Sequence, residues 1–168
     1  MQGAGPIRGR PLFLVTDPTG PTMPSAPRLS TPADVAALHR VWRASVDATH
    51  DFIDPADIAF YEKLLLKHYL PQAPLWLATD EGGNIQGFIG LTGPKIDALF
   101  VHPANHRQGV GKRLIDHALS LHRQLLVDVN SDNAGALEFY RAMGFREVGH
   151  SPVDHTGKRY PLTFMARL

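Results

Sequence analysis

Residues 99–113 read Leu-Phe-Val-His-Pro-Ala-Asn-His-Arg-Gln-Gly-Val-Gly-Lys-Arg, and this stretch decides how the rest of the chain is interpreted. It passes from an apolar segment, through a proline and two glycines, into a segment whose apolar residues recur every three or four positions. The first pattern is typical of a buried strand and the second of an amphipathic helix. Gly109 and Gly111 allow the backbone to approach a ligand closely where the helix begins. The sequence therefore predicts a strand, a turn and a helix whose N-terminus can bind an anion.

Helices and strands alternate on both sides of this unit. The spacing predicts a strand at 28–31, helices at 31–46 and 54–70, strands at 75–79, 85–92 and 95–101, a helix from 109 to 122, a strand at 125–129, a helix at 132–143, and strands at 145–149 and 159–166. A strand, helix and strand in succession favour a right-handed parallel crossover, whereas short turns favour antiparallel neighbours. We therefore expect an α/β fold with a central mixed sheet flanked by helices.

The first 27 residues differ in composition from the rest of the chain. They contain six of the fourteen prolines, which disfavour helix at and before each position. We predict a flexible extension at 1–27 and a single domain at 28–168, with Met23 as an alternative start. A partner-binding arm is the alternative role for the extension. No apolar stretch is long enough to cross a membrane.

The charge and the missing cysteines exclude several functions. The net charge of +1 argues against nucleic-acid binding, which usually requires a strongly basic surface. Without cysteine the chain has no disulfide, no thiolate zinc site and no cysteine nucleophile. Among the nine histidines, His102 and His106 are four residues apart, but Pro103 disfavours the helix that would align them, so no metal is expected. The absence of cysteine and of a targeting signal fits a cytoplasmic protein.

The turn at 107–112 adds Arg107 and Lys112 to the dipole of the helix start. It matches neither of two familiar phosphate-binding patterns. Leu114 stands where a Gly-x-Gly-x-x-Gly sequence would have its third glycine, and no Gly-Lys-Ser/Thr is present to hold magnesium. A tight turn without a ligand and a nucleotide site that prefers ATP or NAD both remain as alternatives.

Three segments together resemble the GNAT superfamily of acyl-CoA-dependent N-acetyltransferases. Leu99-Phe-Val-His-Pro103 resembles the end of the family's fourth strand, and His106-Arg-Gln-Gly-Val-Gly111 resembles its pyrophosphate loop. Asn133-Ala-Gly-Ala-Leu-Glu-Phe-Tyr-Arg-Ala-Met-Gly-Phe145 resembles its conserved helical segment. Thr49-His-Asp-Phe52 is similar to a bacterial subgroup whose acceptors are poorly defined. His106 stands where the family usually has Arg or Gln, and Arg107 supplies a charge beside it.

The resemblance implies which residues bind acetyl-CoA. Backbone groups of Leu99, Phe100 and Val101 pair with the pantetheine arm, as an added strand would. The pyrophosphate is held by Arg107 and by the amides of Gln108, Gly109, Val110, Gly111 and Lys112. Asn133 hydrogen-bonds the cofactor, with Asn130 as a second candidate. Helix capping is the alternative role for both asparagines.

The resemblance also implies an acid and leaves the base open. Tyr140 donates a proton to the departing thiolate, and the alternative is that it only packs in the core. Asp97 interrupts an apolar central strand, where a buried carboxylate needs a partner or a raised pKa, and is one candidate base. Structural pairing with a nearby cation is its alternative role. His50 is another candidate base, because its intrinsic pKa lies near neutrality, with substrate binding together with Asp51 as its alternative role. A water chain is the third.

The function that follows is transfer of acetyl from acetyl-CoA to a primary amine of a small molecule or peptide by direct attack. The alternative is a non-catalytic acyl-CoA-binding sensor. The acceptor itself is not readable from the sequence, although the segments at 47–56 and 150–160 are expected to surround it. Members of the superfamily often form homodimers.

Overall fold

The computed structural model describes residues 24–168, and within them seven strands and four helices follow one another in the predicted order. The strands are β1 (Arg28–Leu29), β2 (Leu75–Thr79), β3 (Ile85–Thr92), β4 (Lys95–Val101), β5 (Leu125–Asn130), β6 (Arg146–Ser151) and β7 (Leu162–Arg167). The helices are α1 (Val35–Thr49), α2 (Pro55–Leu64), α3 (Val110–Leu121) and α4 (Ala134–Ala142). The extension predicted at 1–27, with Met23, lies outside the described residues except for its last four.

Local hydrogen bonds start the two N-terminal helices where the sequence indicated. The amide of Thr31 donates to the carboxylate of Asp34 at 2.8 Å, and a short 3₁₀ turn then leads into α1. Asp54 caps α2 by accepting a hydrogen bond from the amide of Ala56 at 2.9 Å. After α2 the chain widens into a π-type turn, Leu65–Tyr69, which the periodicity did not predict.

The seven strands form one mixed sheet in the order β1-β2-β3-β4-β5-β7-β6. Neighbouring strands are antiparallel except for β4 and β5, which are parallel and are connected through α3. One helical layer covers each face. Leu38 and Trp42 of α1 pack with Phe88 on one face, whereas Leu114 and Ile115 of α3 pack with Ile89 on the other. The predicted fold class is confirmed.

A bulge in β4 determines where the sheet opens. Gly90 pairs with Ala98 and Leu91 pairs with Ile96, so Asp97 is an extra residue without a partner on β3. A bulge bends its strand and changes the face to which later side chains turn. Consistent with this, Ile96 belongs to the core beneath α3 and α4, whereas Ala98 packs against the core beneath α1.

The bulge also explains the carboxylate within an apolar strand, and it corrects one premise of the sequence analysis. Asp97 was expected to be buried in a strand covered on both faces, but it is exposed. Its carboxylate accepts a hydrogen bond from the hydroxyl of Thr92 at 2.5 Å. A side chain at a bulge leaves the alternation of the strand, which is why the apolar residues around it did not imply burial.

Candidate active site

A cleft opens where β4 and β5 separate. The two strands pair only at Lys95 with Leu126 and at Ile96 with Val127, immediately before the bulge. Beyond that point lies a cavity of about 810 Å³, which is within the usual size range of small-molecule sites. Its walls are the second half of β4, the end of β5, the start of α3, most of α4 and the C-terminal end of α1.

The glycine turn lies at one end of this cleft. Gly109 has a φ of 78°, which a side chain would disfavour, and the preceding Arg107 also has a positive φ of 59°. The first helical hydrogen bond of α3 joins the amide of Arg113 to the carbonyl of Gly109 at 3.0 Å. The amides of Val110, Gly111 and Lys112 therefore have no partner within the helix, and they are free to bind an anion.

Gly111 allows α3 to lie close to Phe139 of α4. A Cβ atom placed there would lie 3.0 Å from the ring of Phe139. Because both residues line the cleft, a larger side chain at 111 would displace a wall of the cavity. This requirement for a small residue is separate from the backbone requirement at Gly109, around which a Cβ atom would meet nothing within 4 Å.

The side chains of the turn are mostly engaged within the protein. Gln108 donates to the carbonyl of Ala104 at 3.1 Å, and Lys112 pairs with Asp116 at 2.5 Å. The Nε2 atom of His106, the unusual residue at the first position of the loop, lies 3.0 Å from the carbonyl oxygen of Val101. His106 thus ties the turn to the end of β4, and the anion-binding capacity rests mainly on the backbone.

Tyr140 lies in the wall of the cleft and in the core at the same time. It is 6% exposed, and its ring makes edge-on contacts with Phe139 and Phe145. Burial raises the pKa of its phenol above the ordinary value of 10.0. The phenol therefore stays protonated across the physiological range, as an acid must before it donates. The two roles considered for Tyr140, packing and proton donation, are structurally compatible.

Asn130, the last residue of β5, and Asn133, just before α4, differ in what they contact. The Oδ1 atom of Asn133 accepts a hydrogen bond from the amide of Ala136 at 3.1 Å, so Asn133 does cap α4. Asn130 does not cap a helix with its side chain, and its Oδ1 atom is buried without a hydrogen-bond partner. Both residues line the cleft. A buried polar atom without a partner is uncommon, and in a cavity wall it is suited to meet a ligand.

His50 follows the last residue of α1 and is also part of the wall. Its ring lies 5.4 Å from that of Phe52 and 6.4 Å from that of Phe100, and its Nδ1 atom is 2.7 Å from the hydroxyl oxygen of Thr49. Burial lowers the pKa of the imidazole, and the nearby Asp51 opposes that shift. His50 is therefore mostly neutral at pH 7 and able to accept a proton. Asp97 lines the same cleft from β4.

A second group of polar residues joins α2 to the loop between β6 and β7. The hydroxyl of Tyr61 donates to Asp154, and that of Tyr160 donates to Asp57 at 2.5 Å. Lys158 pairs with Asp57 at 2.7 Å. The sequence analysis expected the segment 150–160 near the acceptor but did not predict these pairs. No local signal could have identified them, because the paired tyrosines and carboxylates are about a hundred residues apart.

A third polar group lies at the opening of the sheet. One carboxylate oxygen of Asp128, on β5, is 2.6 Å from the ammonium of Lys95 and 2.7 Å from Nε2 of His155. This contact ties the β6–β7 loop to the strands that flank the cleft. In residues 24–168 no group of three or more histidine and acidic residues is arranged to hold a metal ion. None of the helices in that range combines the length and apolarity needed to cross a membrane.

Comparisons with known proteins agree with this geometry. Residues 71–147 match the model of the acetyltransferase (GNAT) domain. Over 125 residues, the chain is 48% identical to the peptidyl-lysine N-acetyltransferase YjaB of Salmonella typhimurium, covering 74% of this chain and 86% of that protein.

Solved structures share the fold. The solution structure of apo YjaB from Escherichia coli superposes with a TM-score of 0.80 at 40% identity, covering 85% of this chain and 97% of that one. The PaiA N-acetyltransferase of Thermoplasma acidophilum, solved in complex with coenzyme A, superposes with a TM-score of 0.67 at 17% identity, covering 85% and 99% of the two chains. At that identity the likeness concerns the fold alone. Together with the opened sheet and the glycine turn, the sequence relationship shows that the chain belongs to the GNAT family and is an N-acetyltransferase.

Proposed function

We propose that this protein transfers the acetyl group of acetyl-CoA to the side-chain amine of a lysine in a peptide or protein. The observation that carries the proposal is the cleft between β4 and β5, which has an anion-binding helix start at one end and a protonated, buried phenol, Tyr140, in its wall. The acetyl-CoA-dependent chemistry of the GNAT family and the name of the YjaB relatives support the donor and the acceptor respectively.

For the donor, we assign the binding residues that the sequence analysis predicted. The amides of Gln108 to Lys112, with the charge of Arg107, bind the pyrophosphate, and the backbone of Leu99 to Val101 pairs with the pantetheine arm. The amide group of Asn133 remains free to donate, since only its oxygen caps α4. The unpartnered Oδ1 of Asn130 accepts a hydrogen bond from the ligand. We call this part of the cleft, residues 106–112 together with α4, the donor side.

The chemistry is direct transfer, because no cysteine exists to carry the acetyl group. His50 takes a proton from the acceptor ammonium, and the neutral amine attacks the carbonyl carbon of the thioester. As the new C–N bond forms and the C–S bond breaks, Tyr140 donates its proton to the departing sulfur. The nitrogen loses its second proton to solvent, from which the Tyr140 phenolate is reprotonated, and His50 releases the ammonium proton to solvent before the next turnover. Asp97, exposed on the bulge and lining the cleft, is the second candidate for the base.

The role of His50 predicts a pH dependence. Because burial lowers its pKa below the ordinary value of 6.5, the free base persists to below pH 6.5. The acidic limb of the kcat/KM profile should lie there, and the rate should fall as the pH drops through the lowered pKa. His50→Gln should remove this limb and lower kcat/KM at pH 7.5 by about a hundredfold. A limb that persists unchanged in His50→Gln would assign the base to Asp97 or to water.

We assign the acceptor to the surface formed by α2, the residues 50–54 and the loop 152–161, of which His50 lines the cleft. This acceptor side contains the contacts of Tyr61 with Asp154 and of Tyr160 with Asp57. A small-molecule amine is the second candidate acceptor. The specific observation that favours it is the set of hydrogen bonds that join α2 to the loop, because a loop held against α2 would narrow the approach of a long peptide.

The decisive experiment measures coenzyme A release and product mass with acetyl-CoA and a set of acceptors. The set contains an N-terminally blocked peptide with one lysine, the same peptide with arginine in its place, a peptide with only a free α-amine, and small diamines. The proposal expects acetylation of the blocked lysine peptide and none of the arginine peptide. Acetylation confined to diamines would establish the small-molecule alternative. If acetyl-CoA raises the melting temperature but no acceptor reacts, the sensor function is correct.

We further propose that the domain spans residues 28–168 and works in the cytoplasm as a monomer or homodimer, without nucleic acid or membrane. The near-neutral charge and the absence of cysteine support this assignment. Light scattering after gel filtration distinguishes the monomer from the dimer. Limited proteolysis tests the boundary near residue 27, because a domain that begins at 28 should resist cleavage while the preceding segment is removed.

A further inference from the structure

The hydroxyl of Thr49 lies between two groups that together determine the position of its proton. Its oxygen is 2.7 Å from the carbonyl oxygen of Ser45, to which it donates, and 2.7 Å from Nδ1 of His50. A hydroxyl has one proton and a carbonyl oxygen can only accept. Because the proton of Thr49 is used on Ser45, the oxygen of Thr49 can only accept a hydrogen bond from His50.

It follows that Nδ1 of His50 carries a hydrogen. In a neutral imidazole only one nitrogen is protonated, so the lone pair of His50 lies on Nε2. In the alternative tautomer the hydrogen is on Nε2. The lone pair of Nδ1 would then face a lone pair of the Thr49 hydroxyl oxygen, unless Thr49 gave up its hydrogen bond to the carbonyl of Ser45. A local hydrogen bond of this kind selects one tautomer and one ring orientation, in the same way that supporting groups orient catalytic and metal-binding histidines.

The surroundings of the pair reinforce this selection. Thr49 is the last residue of α1, where a hydroxyl bond to the carbonyl four residues earlier is a common local arrangement. The His50 ring packs near Phe52 of the following loop and Phe100 of β4, which are uncharged. The charged group that affects His50 is Asp51, next to it in the chain. Ser45, Thr49 and His50 all line the cleft.

We propose that Thr49 is a positioning residue for the acetyl transfer, which holds His50 in the tautomer with a free Nε2 and thereby presents that atom as the proton acceptor. This inference rests on the role of His50 in the proposed function. It adds a residue that makes no contact with the reacting atoms, and it names the atom of His50 that acts.

The first test needs no activity. Long-range ¹H–¹⁵N correlation spectra of the full-length protein at pH 7.5, with His50→Gln to assign the signal, distinguish a protonated Nδ1 from a protonated Nε2. The wild-type protein and Thr49→Ser should show a protonated Nδ1 at residue 50. Thr49→Val, which has nearly the same shape but no hydroxyl, should show a mixture of tautomers. A protonated Nε2 in the wild-type protein would overturn the proposal.

The second test measures kcat and KM with the acceptor that reacts best. Thr49→Val should lower kcat about tenfold, while the KM for acetyl-CoA stays the same, and Thr49→Ser should restore most of the loss. Thr49→Ala serves if Thr49→Val has a much lower melting temperature. An unchanged kcat in Thr49→Val, or an equal loss in Thr49→Ser, would overturn the positioning role.

The two tests separate the failure of this inference from that of the proposed function. If no acceptor reacts, the proposed function is wrong, and the spectra still decide whether Thr49 sets the tautomer. If acetylation occurs but His50→Gln is fully active, His50 is not the base and the positioning role of Thr49 is overturned with it. The acetyltransferase activity itself stands in that case.

Discussion

The donor side of the cleft is formed largely by backbone from a single short turn, whereas the acceptor side depends on side chains that are far apart in the sequence. Between residues 106 and 112, two residues with positive φ and three amides without a partner in the helix form the proposed anion site, and most side chains there contact the protein itself. On the acceptor side, Tyr61 and Tyr160 must reach carboxylates on other elements. The donor side is therefore encoded by one continuous sequence motif, whereas the acceptor side forms only when folding brings distant residues together.

This difference has a physical consequence for how each side responds to substitution. A backbone site is affected by changes in φ or in close packing, and it is insensitive to most side-chain replacements. A site held by hydrogen bonds between side chains is affected by the loss of any one hydroxyl or carboxylate, each worth about 1 kcal/mol. Substitutions can therefore test whether the two sides are as different as the geometry indicates.

The largest effect is expected from Tyr140→Phe, which removes the proposed acid and leaves the ring in place. We expect kcat to fall by about a hundredfold or more, with little change in the dissociation constant of acetyl-CoA. Steady-state kinetics and calorimetric titration measure the two quantities. If kcat is unchanged, Tyr140 serves only for packing.

Tyr69→Phe is the matched control for Tyr140→Phe. Tyr69 is a second tyrosine whose pKa burial raises, but its hydroxyl is buried without a partner and is not part of the cleft wall. Its removal should leave kcat unchanged, and it should not lower the melting temperature. A comparable loss of kcat in both variants would mean that the effect comes from the core and not from proton donation.

The next effect compares two glycines with the same backbone strain. Gly109 in the donor turn and Gly83 in the β2–β3 turn have φ values of 78° and 81°, and a Cβ atom at either would meet nothing within 4 Å. Each substitution to alanine should lower the free energy of unfolding by about 1 kcal/mol. Only Gly109→Ala should also weaken acetyl-CoA binding, by about tenfold, because it alters the amides of the anion site. Equal affinities in the two variants would contradict a backbone site.

On the acceptor side, Tyr160→Phe removes a hydroxyl that donates to Asp57 and accepts from the amide of Asp54 at 3.0 Å. The loss of these bonds should loosen the loop 152–161 and raise the KM for the amine about fivefold, with the affinity for acetyl-CoA unchanged. Initial rates at saturating acetyl-CoA measure this. If acetyl-CoA binding weakens to the same extent, the two sides are coupled and the distinction between them fails.

The same distinction explains how much the sequence predicted. The order of the elements and the glycine turn before α3 followed from local patterns, since apolar spacing and glycine placement act over a few residues. The position of Tyr140 at the cleft was expected only from the resemblance to the GNAT superfamily. Asp97 was expected to be buried because the pattern around it is apolar, and the bulge that exposes it is visible only in the pairing of β3 with β4.

Other features depend on contacts that the sequence does not encode locally. The bridge from Lys95 and His155 to Asp128 joins three parts of the chain at one carboxylate oxygen. The π-type turn at 65–69 likewise has no distinct pattern, because its residues match a regular helix equally well. Helix capping was one of the two roles considered for Asn133 from the sequence. The lack of a hydrogen-bond partner for the Oδ1 atom of Asn130 is visible only in the folded structure.

The smallest effect concerns Arg107, one of the two side chains of the donor turn whose charge was expected to matter; the other, Lys112, is paired with Asp116. Arg107 is the only residue other than glycine with a positive φ in residues 24–168, and asparagine tolerates that conformation better than most residues. Arg107→Asn should therefore leave stability almost unchanged while removing the charge. We expect acetyl-CoA affinity to fall about threefold at low ionic strength, and the difference to disappear at 0.5 M salt, because an exposed charge is screened.

Arg107→Lys, which keeps the charge, is the control and should bind acetyl-CoA like the wild-type protein. If Arg107→Lys loses as much affinity as Arg107→Asn, the guanidinium acts through directed hydrogen bonds, and the donor side is less dependent on backbone than we infer. If neither variant loses affinity, the backbone amides bind the pyrophosphate without help from this side chain. That result would also explain how the turn functions with His106 engaged on the carbonyl of Val101.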